Sequence, residues 1–175
     1  ARADENNGDI VVLMPNHAET ITGVGGITAN RAGITTLGMG TYNQRPRFLM
    51  DGGTTVTAAV SAADNTFRNV VFASGHASVV TCLDITGVGC WLDGVEFSDN
   101  TTSENWVTPI KATGATLTAN GLKVTNCRWL PLIASTVGEE FIEITDNIDD
   151  LVIEDNLIIH EGTASPLFLQ AGTKV

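Results

Sequence analysis

With 175 residues, 43% of them hydrophobic and 17% charged, the chain is long enough for one domain with a sizeable core, too short for two, and too apolar for a disordered polymer. The 20 acidic side chains against 9 basic ones give a net charge of -11 and a pI near 4.4, which excludes binding to a phosphate backbone, since counterion release needs clustered cations. No apolar stretch is long enough for a membrane helix and no charged start with an apolar centre marks a signal peptide, so residues 1–175 are read as one domain with neither a membrane nor a nucleic-acid partner.

In chain order, Ala1 to Asn6 reads as the last turns of a short capping helix that stops at Asn7-Gly8, a pair suited to the left-handed position after a helix. Without an initiating Met, more chain is expected before Ala1. Ile10 to Met14 is an apolar strand. Gly23-Val24-Gly25-Gly26 is superficially like a phosphate-cradling loop, but it lacks the Lys-Ser/Thr of a P-loop and a strand-to-helix setting, so it is read as turns.

Further along, four segments align: Phe67-Arg68-Asn69-Val70-Val71-Phe72, Leu92-Asp93-Gly94-Val95-Glu96-Phe97, Val124-Thr125-Asn126-Cys127-Arg128-Trp129 and Ile153-Glu154-Asp155-Asn156-Leu157-Ile158. The third place holds Asn69, Gly94, Asn126 and Asp155, residues that tolerate positive φ, and a bend there separates two short strands. Strand alternation then turns Phe67, Leu92, Val124 and Ile153 inward as one column, with Phe72, Phe97, Trp129 and Ile158 as a second. Upstream of each block sits another strand, at Val56-Thr57-Ala58, Leu83-Asp84-Ile85, Ile110-Lys111-Ala112 and Ile142-Glu143-Ile144, its middle residue facing out. The intervals between blocks are unequal, which a solenoid absorbs by bulging loops outward, most clearly at Ser98 to Thr108. Leu167-Phe168-Leu169 and the turn at Gln170-Ala171-Gly172 lead toward another rung. A β-sandwich would not account for Asn, Gly or Asp at a fixed offset, so the fold class is all-β, a right-handed parallel β-helix with an amino-terminal helical cap.

Equivalent outward places in successive rungs lie about 4.8 Å apart, so each outward column is a candidate site. Asp84, Lys111 and Glu143 could serve acid-base cleavage of a polysaccharide, although alternating charge is also what a parallel ladder uses to avoid repulsion. Asp93, Glu96 and Asp99 form one acidic group and Asp146, Asp149 and Asp150 another, without the spacing of a calcium loop. His17, His76 and His160 are far apart and match no zinc motif. Cys82, Cys90 and Cys127 have no CxxC spacing and leave one thiol over in any disulfide scheme, so they are read as packing residues in a reducing or neutral setting. No Ser lies in GxSxG and no Cys has a His partner in sequence. Accordingly no catalytic, cofactor-binding or metal-binding residue and no cofactor is assigned. Two outward pairs follow from the alignment, Arg68 beside Asp93 and Glu96 beside Arg128, on a solvated surface. Trp106 is placed in the loop, available to a partner.

The run from Gly8-Asp9-Ile10 through Pro15-Asn16 to Thr20-Ile21 resembles the opening rung of pectate-lyase-like β-helices. Together with Gly33-Ile34-Thr35-Thr36-Leu37-Gly38-Met39-Gly40 and Arg45-Pro46 it resembles a group of β-helical proteins of tailed bacteriophages, from about Gly8 to Ala164. That resemblance implies a structural virion protein, a capsid decoration protein or a tail or fibre module, assembled as a homotrimer with other virion proteins. The alternative is a tailspike-type protein that binds or cleaves host surface polysaccharide as a lyase or glycoside hydrolase. None of the lyase aspartate and arginine motifs is matched, and the fold by itself is compatible with either.

Overall fold

The computed structural model describes residues 7–113, 118–132, 140–145, 147–159 and 167–169. Among them, eighteen strands fall into six successive triplets. The first triplet is β1 (Ile10–Leu13), β2 (Ala18–Ile21) and β3 (Ile27–Ala29); the second is β4 (Thr35–Gly38), β5 (Arg47–Met50) and β6 (Ala58–Val60). The third holds β7 (Thr66–Arg68), β8 (Val71–Ser74) and β9 (Val79–Ile85), and the fourth β10 (Trp91–Asp93), β11 (Glu96–Asp99) and β12 (Trp106–Ala112). The last two are β13 (Lys123–Thr125), β14 (Arg128–Leu130) and β15 (Ile142–Ile144), then β16 (Val152–Glu154), β17 (Leu157–Ile158) and β18 (Leu167–Leu169).

Every third strand joins one sheet. The first sheet runs β1-β4-β7-β10-β13-β16, and the other two follow the same rule from β2 and from β3, with all neighbours parallel. The molecule is a three-faced parallel β-solenoid in which each triplet is one rung. Apart from a 3-10 turn at Tyr42–Gln44, the described residues contain no helix. The expected cap at Ala1 to Asn6 lies outside the described residues, and Asn7-Gly8 forms a turn with Gly8 at φ +67°.

Inward columns hold the rungs together. Phe67, Leu92, Val124 and Ile153 are in register on the first sheet, and Phe72, Phe97, Trp129 and Ile158 on the second, as the alignment requires. Phe48, Phe72 and Phe97 stack face to face at 5.7 and 6.0 Å, and Phe141 reaches across the interior to Phe97 and Trp129. Stacking aromatic and branched side chains at the strand spacing buries apolar area rung by rung, which is where a solenoid's stability resides. Cys82, Cys90 and Cys127 are free, buried members of this core, and burial raises each thiol above its ordinary range.

The corner between the first and second sheets is set by the residues singled out for positive φ: Asn69 (55°), Gly94 (65°), Asn126 (56°) and Asp155 (55°). There the N–H groups of Asn69, Gly94 and Asn126 donate to the carbonyls of Asp93, Thr125 and Glu154 on the next rung at 3.0, 3.0 and 3.2 Å. A second left-handed corner, between the third and first sheets, uses Gly33, Asp64, Gly89, Gly121 and Asp150, and the first four donate in turn to the next rung. This second series lies just outside the repeat as aligned, although Asp64, Gly89, Gly121 and Asp150 each stand three positions before the first residue of an aligned segment, and they are the same Asn/Gly/Asp type of residue.

Asn69 also donates through Nδ2 to Gly38 O (2.9 Å) and Gly40 O (3.0 Å). Asn69→Ala, which loses both bonds and the tolerance of positive φ, is expected to cost about 2 to 3 kcal/mol in urea unfolding. Asn69→Gly should recover part of that loss. Equal losses for the two variants would show that backbone conformation contributes nothing at this corner.

Two expectations are corrected. The strand upstream of the first aligned segment, Phe67 to Phe72, is Ala58–Val60, two residues later than Val56-Thr57-Ala58, and it pairs with Leu83, Asp84 and Ile85. A shift of two preserves parity, so Val56 and Ala58 remain buried. Trp106 opens β12, pairs with Val79 and is fully buried, its Nε1 donating to Ser98 O at 2.9 Å. The loop is therefore shorter than Ser98 to Thr108: β11 extends to Asp99 and β12 begins at Trp106, because a large apolar side chain gains more inside the solenoid than at a loop tip.

Candidate functional site

The outward charges close into pairs between rungs. Arg68 Nε lies 2.7 Å from Asp93 Oδ2, and its guanidinium sits 5.7 Å from the Trp91 ring centre. Glu96 Oε2 takes Arg128 Nη2 at 3.1 Å and also Arg45 Nη2, which descends from the loop before β5. Lys111 Nζ reaches Glu143 Oε2 at 3.2 Å. Asp84 stands in register with Lys111 but forms no ion pair among the described residues.

The two pairs expected from the alignment are thus present, yet the surface is less solvated than expected. The side chains of Asp93 and Glu96 are only 9% and 16% exposed, because Arg68 lies over the first and Arg45 over the second. Such partly covered pairs link one rung to the next in register.

The acidic group Asp93, Glu96 and Asp99 is separated by strand parity. Asp93 and Glu96 face outward among cations, whereas Asp99 shares an inward column of the second sheet with Met50 and Ser74. Asp99 is 5% exposed; its Oδ2 accepts the Leu132 N–H at 3.0 Å, while Oδ1 has no hydrogen-bond partner among the described residues. Burial pushes this carboxyl up to about 6, partly offset by the Leu132 N–H and reinforced by the charge of Glu104.

The remaining candidates stay apart. Asp149 and Asp150 belong to a corner, and Asp146 and His160 lie outside the described residues. His17 lies 3.4 Å from Glu19 and edge-on to Phe48, while His76 is exposed beside Ala77 O. Among the described residues, no three His, Cys, Asp or Glu side chains converge as a metal site, and no helix is long and apolar enough to cross a membrane. The Gly23 to Gly26 stretch is a turn, closed by Gly26 N–H to Gly23 O at 3.1 Å.

Residues outside the repeat join Phe67, Glu96 and Arg128 in lining two concavities among the described residues. One, of about 510 Å³, is the apolar mouth of the interior at the first rungs, where Val11, Leu13, Ile27, Phe48 and Phe67 face a common space. The other, of about 480 Å³, lies on the outer face of the second sheet, between the Tyr42–Arg45 loop and the Arg47, Glu96 and Arg128 side chains. Arg45-Pro46 is visible in the sequence, but nothing local shows that its guanidinium returns to Glu96, fifty-one positions on.

No family model, no curated protein and no solved structure matches the chain. Its class therefore stands on strand pairing alone: a parallel β-solenoid of three sheets with ion-paired outer faces.

Proposed function

We propose that this chain is a structural module of a bacteriophage virion, a capsid decoration protein or a tail or fibre segment, working as a rigid right-handed β-helix in a homotrimer. The observation that carries the mechanical part is the unbroken register of six rungs over continuous inward columns, which resists bending because every rung is bonded to the next along three faces. Right-handed coiling is the sense in which nearly all parallel strand crossovers run. The virion assignment draws on the resemblance at Gly8 to Ile21, Gly33 to Gly40 and Arg45-Pro46. Contact with other chains is supported by the first rung, where Ile10, Val12 and Met14 are 59%, 50% and 66% exposed beside strand edges that have no neighbour among the described residues.

Imaging of assembled particles with an antibody against this chain tests the assignment. Labelling at a fixed position of the capsid or tail is the expected result, with three copies per site. Sedimentation of the isolated protein as a monomer at micromolar concentration would remove the trimer.

One observation favours the polysaccharide alternative: Glu96 lines an open groove. Its carboxylate, however, already carries two guanidinium bonds, an arrangement suited to an ionic strut. Screening the protein and Glu96→Gln against host surface glycans, with reducing ends and unsaturated products measured, separates the two. Cleavage by the parent that is lost in a folded variant would replace the structural reading.

A further inference from the structure

We propose that the groove on the outer face of the second sheet is a docking site for a second copy of this chain, which inserts the acidic strip around its own β16. The inference rests on the oligomer proposed above and names the surfaces that would build it.

Arg47, Val71, Glu96 and Arg128 occupy one outward column across β5, β8, β11 and β14. Tyr42 and Arg45 form the rim. Three guanidinium groups face one carboxylate, so the groove is cationic on a chain of net charge -11, and it holds three of the chain's 9 cations. Two of them keep donors for an incoming anion. Arg47 makes no ion pair among the described residues and bonds only Asn100 Oδ1 through Nη2 (2.7 Å), and the Arg128 side chain is 43% exposed. Tyr42 adds a separate indication. It is 86% exposed at φ +50°, a conformation that bulky side chains avoid, and so holds its ring out in solvent at the rim. Tyr and Arg in a concave patch without Lys are the residue types that dominate the energetic centres of protein interfaces.

The chain carries a matching surface. Asp149 and Asp150 precede β16, and Glu154 and Asp155 close it; Asp150, Glu154 and Asp155 are exposed, and none of the four is in an ion pair among the described residues. Lys123, in register with Val152, is the neighbouring cation, which leaves the strip anionic. Spacing agrees as well. Three strand separations place Arg47 about 14 Å from Arg128 along the column, and the stretch from the Asp150 corner to Glu154 at the end of β16 spans at most about 13 Å. The two surfaces differ, so the contact is heterologous, the kind that closes into a ring when the rotation between copies allows.

Sedimentation of the full chain at micromolar concentration, in low and high salt, tests this with two variants. Arg47→Glu with Arg128→Gln disables the groove, and Asp150→Asn with Glu154→Lys disables the strip. All four positions are outside the core, and unchanged circular dichroism will show that both variants fold. The expected result is assembly that weakens with salt and falls at least about tenfold in each variant. An equimolar mixture should recover one-to-one dimers, because each variant retains the surface the other has lost. Assembly of both variants like the parent would overturn the docking site while leaving the oligomer standing, and a monomeric parent would overturn both. Loss confined to one variant, or a mixture that fails to pair, would show that the groove and the acidic strip are not each other's partners, and would also overturn the proposal.

Discussion

Replacing Trp129 by Ala is expected to destabilise the protein by about 3 to 5 kcal/mol, the largest loss for any single side chain considered. Trp129 is 2% exposed, stands in register between Phe97 and Ile158 and packs against Phe141 with ring centres 6.1 Å apart. Rungs above and below are bonded through their backbones along three faces, so the hole cannot close by sliding one strand, and most of the lost contact stays lost. Urea unfolding measures the change. Because a solenoid is held by nearest-neighbour interfaces, amide exchange should accelerate mainly in β11, β14 and β17 and less at β2. Leu132→Ala, at an exposed site, serves as the control and should stay within about 0.5 kcal/mol of the parent. A loss below about 1 kcal/mol for Trp129→Ala would mean that the column does not carry the fold.

The second large effect concerns pH. The Asp99 carboxyl is raised from its ordinary 3.8 to about 6 by burial, so folding favours its protonated form. Stability from this group is fully present below about pH 3.8 and is lost as the pH rises through about 6, leaving a buried anion at neutral pH. Asp99→Asn retains an acceptor for the Leu132 N–H and carries no charge. It should therefore be more stable than the parent at pH 7.5 by about 2 to 3 kcal/mol, with the difference vanishing toward pH 4. Thermal unfolding across that range measures both, and a carboxyl carbon resonance titrating near 6 identifies the group. If parent and variant change in parallel with pH, the inward carboxyl is not the source.

Asp99 also shows where reading along the chain stops. In the sequence it stands three places from Glu96 and six from Asp93, and the three look like one acidic group. Parity and the bend at Gly94 send the first two outward to Arg68, Arg45 and Arg128 and the third inward under Ser74, a separation that depends on where β11 ends. Extending that strand by one pair past Phe97 changes Asp99 from a loop residue into a core residue. Trp106 is a similar case: a polar run precedes it, and only its pairing with Val79 reveals that the chain has already re-entered the wall.

What the amino-acid order determined by itself is the repeat: positive-φ residues at Asn69, Gly94, Asn126 and Asp155, the two inward columns, the Arg68–Asp93 and Glu96–Arg128 pairs, and hence a parallel solenoid. These are short-range consequences of side-chain alternation and of which residues accept a left-handed backbone, and both are written within six consecutive positions. The second left-handed corner, three positions before each aligned segment, is written in the sequence too, whereas only the tertiary structure decided the inward turn of Asp99, the burial of Trp106 and the return of Arg45 to Glu96. Each of these depends on how much chain loops out between one rung and the next, and loop length is free to vary because a solenoid asks only that neighbouring rungs meet in register.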